Sequence, residues 1–131
     1  GIVDVMETLE ATHSVSADMR HGELHFAIGG LWNEQSMGQF LREMNEVAKP
    51  LIESGKGFSA LGDLRHFVAQ DRETAAAIQN SIVTGKKLGL KRFAVVSSSA
   101  LVKLQYRRIA DSVDVEFFVE PRDAIAWLRD R

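Results

Sequence analysis

From Phe58 onward the chain alternates short apolar runs with longer amphipathic stretches, and this alternation limits the fold more than any other feature. Phe58–Leu64, Lys91–Ser97 and Val115–Val119 have few polar side chains and strand length. Between them lie segments long enough to carry the chain back across a sheet, which parallel pairing requires and a hairpin does not. Strands covered on both faces read as continuous apolar runs. The order therefore predicts an α/β domain with a mostly parallel sheet of four to five strands.

The first half adds an antiparallel edge. Val15, Ala17 and Met19 alternate with Ser14, Ser16 and Asp18, and Leu24, Phe26 and Ile28 alternate with Glu23, His25 and Ala27. That is the period of half-buried strands. Gly22 can take the positive φ of a tight turn between them. Residues 1 to 12 have no clean period and are left unassigned.

A helix is predicted over Ser36–Ser54, with Phe40, Leu41, Met44, Val47, Ala48, Leu51 and Ile52 on one stripe. Pro50 should kink it, since an interior proline loses a hydrogen bond and crowds the preceding turn. A second helix spans Glu73–Leu88, with Ala75, Ile78, Ile82 and Gly85 inward. Gly89 is its stop. A third covers Ala100–Asp111, with Leu101, Leu104 and Ile109 inward and Lys103 and Arg107 on an outward row. Pro121 suits the first position of a closing helix that buries Ala124, Ile125 and Leu128.

The 131 residues are one domain long. An apolar fraction of 45% and a charged fraction of 26% describe a soluble globule rather than a disordered chain. With no cysteine, thiolate chemistry, disulfides and Cys-based metal sites are excluded. No apolar run is long enough to span a bilayer and no targeting segment is recognisable, so the expected location is cytoplasmic. Net charge is −2, unevenly spread: residues 1 to 80 hold 6 Lys/Arg against 12 Asp/Glu, whereas Ser81–Ala110 holds Lys86, Lys87, Lys91, Arg92, Lys103, Arg107 and Arg108 without one carboxylate. Such a block can attract an anionic surface. Nucleic acid is not expected, because aromatics are not interleaved with the basic residues.

In open α/β sheets, ligands and partners meet the carboxyl ends of the strands. The most chemically varied of these ends is Leu61–Thr74, which holds Asp63, Arg65, His66, Asp71, Arg72, Glu73 and Thr74. Ser97, Ser98 and Ser99 leave the neighbouring strand at what should be the same rim, beside Lys103 and Arg107. Each group has a plain structural role too: Asp71 and the serines read as helix caps. The serine loop lacks the glycines and the GxxxxGK[ST] spacing of a phosphate cradle. His13, His21, His25 and His66 have no metal-ligand spacing, and neither cofactor nor metal is expected. His66, Asp63 and Ser98 can be written as a hydrolytic triad, but no strained G-x-S-x-G turn exposes the serine.

The "GDLRHF" strand exit, the "GLKRFAVV" strand and the "LQYRRIA" helix resemble the SpoIIAA-like branch of the STAS family, whose fold is also compared with CRAL-TRIO lipid-binding domains. The resemblance spans roughly Leu24 to Leu128. It implies a non-enzymatic regulatory or protein-interaction module of the anti-sigma factor antagonist type. In that type an Asp at the strand exit precedes an Asp-Ser-Ser-Gly-like helix start whose serine is phosphorylated. Asp63 and Asp71 match the two aspartates; Arg72 and Glu73 stand in place of the serines and Thr74 in place of the glycine. The phosphorylation switch is thus expected to be missing, or replaced by a fixed negative charge. Exposed apolar positions beside this surface could support a homodimer. An alternative of another class is a carrier or sensor holding an anionic lipid or small amphipathic ligand in a pocket near Trp32, Phe67 and Tyr106.

Overall fold

A computed structural model describes residues 10 to 130; the unassigned residues 1 to 9 lie outside the described residues. The elements follow the order β1 (Thr12–Asp18), β2 (Glu23–Gly30), α1 (Glu34–Glu53), β3 (Phe58–Phe67), α2 (Arg72–Lys87), β4 (Leu90–Val96), α3 (Ala100–Ile109), β5 (Asp114–Phe118) and α4 (Pro121–Arg129). The five strands form one sheet in the order β1-β2-β3-β4-β5, with β1–β2 antiparallel and every other pair parallel. The expected fold class is what is found.

Gly22, at φ 64°, makes the hairpin turn. Gly62 serves packing: a Cβ there would lie 2.6 Å from Phe26 and 3.0 Å from Phe93, whose rings sit 5.8 Å apart over it. Leu24, Phe26, Ile28, Ala60, Leu64, Phe93 and Val95 form one face of the sheet, packed against α1, α2 and α3. The opposite face carries a smaller cluster, in which Leu61, Ala94 and Val96 meet Ala124 and Leu128 of α4. Three helices therefore cover one face and one helix the other. No described helix is long and apolar enough to cross a membrane.

The sequence reading needs two corrections of detail, at the start of α1 and on the inward face of α3. The helix α1 starts at Glu34, two residues early, because Asn33 and Ser36 form a reciprocal capping box. It then continues through Pro50 to Glu53. Pro50 lies in the last turn on the exposed side, so one lost bond falls where water can replace it, while Ala48 and Leu51 stay buried. The inward stripe of α3 is Val102, Tyr106 and Ile109, not Leu101 and Leu104, which are 69% and 55% exposed.

Candidate functional site

The parallel register of β3 on β4 sets Asp63 beside Val96, so Arg65 and His66, in the last residues of β3, lie at the same rim as Ser97 to Ser99. There Asp63 and Arg65 pair side by side: the guanidinium Nε and Nη2 donate to the two carboxylate oxygens at 2.9 and 2.7 Å, and the Arg65 backbone N–H adds a third bond. The side-chain bond from Arg65 outweighs partial burial and holds the Asp63 carboxyl below its ordinary range. With both oxygens committed to Arg65, Asp63 does not orient His66, which sits exposed on the strand beside Gly29. The triad that could be written from the sequence is therefore not assembled.

Asp71 caps α2, accepting the Thr74 N–H at 2.8 Å, and that bond lowers its pKa. Arg72 and Glu73 follow, exposed, with Glu73 in the first turn, where a carboxylate suits the helix dipole. Ser99 likewise caps α3, accepting the Val102 N–H at 3.2 Å. Two expected surface residues are not on the surface. Thr74 is 0% and Ser97 1% exposed, the first because it faces the core from the first turn of α2, the second because its hydroxyl accepts the Ser99 N–H at 3.1 Å. Ser98 remains exposed between them.

The loop from β3 to α2 is held by a residue the sequence reading missed. Gln70 is buried; its Oε1 accepts the Trp32 N–H at 2.9 Å and its Nε2 donates to the Gly30 carbonyl at 3.2 Å. Gln70 and Gln105 also exchange bonds, each amide side-chain atom of Gln105 meeting the Gln70 backbone at 2.9 Å. One glutamine thus ties the exits of β2 and β3 to α3. A lone amide in a loop carries no periodic signal, so only its contacts reveal it.

The expected pocket residues are core residues. Trp32 packs 5.5 Å from Phe40 and donates its indole N–H to Gly29; Phe67 and Tyr106 meet edge to face at 6.2 Å. Burial pushes the Tyr106 hydroxyl pKa up. Tyr106 borders an apolar cavity of ≈ 60 Å³ that does not include Trp32 or Phe67. Ligand pockets run to roughly 300–1,000 Å³, so an acyl chain has no enclosed space here.

The basic block is dispersed. Arg92 stacks 4.9 Å over Trp127 and donates to the Trp127 carbonyl at 2.8 Å, pinning α4 to the sheet. Arg107 lies 4.8 Å over Phe117. Lys86 and Lys87 end α2, where cations suit the dipole. Lys103 is half-buried on α3.

A second cluster occupies the opposite rim, where β2 begins. Glu23 is 2% exposed, and Arg129 at the end of α4 donates to its two oxygens at 3.1 and 3.0 Å. His25 lies 2.9 Å from Glu23, and His21 lies 2.9 Å from Asp18. Burial alone would raise the Glu23 pKa, but the bonds from Arg129 and His25 together hold it below its usual value. Asp18, Glu23 and His25 offer ligand atoms within 4.8 Å of one another. The Arg129 guanidinium, also 3.6 Å from Asp18, already supplies the cation such a group would seek. The cluster reads as a structural ion-pair network.

Neither family models nor curated proteins match the chain. Solved structures do. A DUF3478-family protein with a SpoIIAA-like fold from Shewanella loihica PV-4 superposes with a TM-score of 0.59 at 22% identity, covering 91% of this chain and 95% of that one. An anti-sigma factor antagonist from Mycobacterium paratuberculosis superposes with a TM-score of 0.53 at 12% identity, over 92% and 96%. The chain has the SpoIIAA-like fold.

Proposed function

We propose that the protein is a non-enzymatic regulatory module that acts by binding a protein partner through the carboxyl rim of its sheet. The observation that carries this reading is the rim itself. Exits from β2, β3, β4 and β5 bring together the Asp63–Arg65 pair, His66, Arg72, Glu73 and Ser98, with Leu31, Leu101 and Val119 exposed among them. Mixed charge interleaved with exposed apolar side chains suits a protein contact. The fold shared with an anti-sigma factor antagonist supports the same class of role.

The phosphoacceptor of that type is absent in this reading. Glu73 stands at the start of α2 as a permanent negative charge, and Thr74, the hydroxyl in that turn, is buried away from any kinase. Regulation then resides in the partner or in abundance rather than in modification of this turn. The lipid-carrier alternative is less well supported at its expected site, because the apolar cavity that borders Tyr106 is only ≈ 60 Å³.

The test compares affinity capture from a native cell extract by the wild type and by a variant carrying Arg65→Glu and Arg72→Glu. A partner retained by the first and lost by the second is the expected result. Equal recovery by both rejects the rim as the working surface. Lipid extraction with mass spectrometry on the purified protein should find no stoichiometric lipid.

A further inference from the structure

The exposed leucines of α3 mark a second feature. α2 and α3 pack against each other, and along the solvent side of their contact runs an open groove of about 340 Å³, lined by Arg72, Ala75 and Ala76 on one side and Leu101, Leu104 and Arg108 on the other. The positions on each helix follow the i, i+3, i+4 and i+7 spacing of one face. Both faces thus point into the same channel. Three features keep it open. The α2 side offers alanines that leave space; the buried stripe of α3, Val102, Tyr106 and Ile109, already fills the core; and the Gln70–Gln105 bonds fix the loop at the channel's end.

Resting on the reading above, we infer that this groove docks an acidic amphipathic helix of the protein partner. The shape is that of helix-in-groove recognition, in which an apolar stripe is laid between two helices. The charge selects the sign of the partner. Arg72 stands where α2 begins, Arg108 near the end of α3, and among the described residues no carboxylate lines the channel. From Leu101 to Arg108 is about 10 Å at 1.5 Å per residue, or two turns. The fitting ligand carries apolar side chains at i and i+3 or i+4, with carboxylates placed to meet the two arginines.

The probe is a pair of fluorescein-labelled synthetic helices with one shared apolar stripe, the polar face built from Glu in one and from Lys in the other. The Glu helix should bind the wild-type protein at least about tenfold more tightly, a difference of ~1.4 kcal/mol, and the gap should narrow as salt is raised. Ala76→Phe, at an exposed position, fills the floor of the channel without entering the core and should abolish binding. Arg72→Glu with Arg108→Glu should reverse the preference. Equal affinity for the two helices overturns the proposal, as does full binding by Ala76→Phe. A dimer seen by sedimentation and dispersed by Ala76→Phe overturns it too, since a second copy then fills the groove. Arg65→Glu separates this proposal from the rim reading. A native partner lost by Arg65→Glu but kept by Ala76→Phe leaves the rim standing and removes the groove. A Glu helix that binds normally while partner capture is indifferent to Arg65→Glu does the opposite.

Discussion

The two rims of the sheet use charge in different ways. At the amino rim, Glu23 is buried and bonded to Arg129, 106 positions away, so its charge closes the protein on itself. At the carboxyl rim, Asp63 is bonded to Arg65 two positions away, Asp71 and Ser99 cap their own helices, and His66, Arg72, Glu73 and Ser98 face outward. The first arrangement is satisfied only within the finished fold. The second is satisfied locally and leaves its remaining groups for something outside. A charged cluster with perturbed carboxylates is therefore not by itself a working site: the arginine that holds Glu23 comes from 106 positions away, the one that holds Asp63 from two.

Substitutions can break that contrast. The largest loss is expected from Glu23→Ala, which removes one partner of a buried pair. Such removals cost about 3–5 kcal/mol, and the partial exposure of Arg129 lowers this to ~2–3 kcal/mol in a denaturant titration. Gln70→Ala tests whether the carboxyl rim also holds a structural residue. It strips the Trp32 N–H and the Gly30 carbonyl of their partner and should cost ~2 kcal/mol, with faster hydrogen exchange at Trp32. Acid sharpens the contrast further. Because the folded pKa of Glu23 is depressed, its contribution is fully present above the ordinary carboxylate range near 4.5 and is lost as pH falls through the lower, folded value. Stability of the wild type should fall over that range with a steeper slope than that of Glu23→Gln. The smallest effect on stability belongs to Arg65→Ala, whose solvent-screened pair should leave the denaturation midpoint almost unmoved, while its loss should remove partner capture.

Much of this was legible in the residues, for identifiable reasons. Period-two alternation in Val15–Ala17 and Leu24–Ile28, and the crossover lengths after Phe58, indicated the element order and a mostly parallel sheet with a hairpin at its edge, and hence a shared rim; the order of strands within the sheet had no such signal. Capping chemistry at Asp71 and Ser99 is local and was readable for the same reason. What failed was the choice between competing apolar faces. On α3 both Leu101–Leu104 and Val102–Tyr106 have helical spacing, and only the position of the sheet decides which is buried. Thr74 and Ser97 look like surface hydroxyls until burial is known. The Glu23–Arg129 pair gave no local sign beyond a carboxylate at the first position of a strand.

That pair also bears on how the chain assembles. A contact spanning 106 positions becomes available only after β2 and the strands that carry α4 have found one another, so it should be absent from the folding barrier and present behind it. Interactions of this kind leave the refolding rate nearly untouched and slow escape from the native basin. In a chevron plot, Glu23→Gln should move the unfolding arm alone: the ion pair acts as a clasp on the lifetime of the native state.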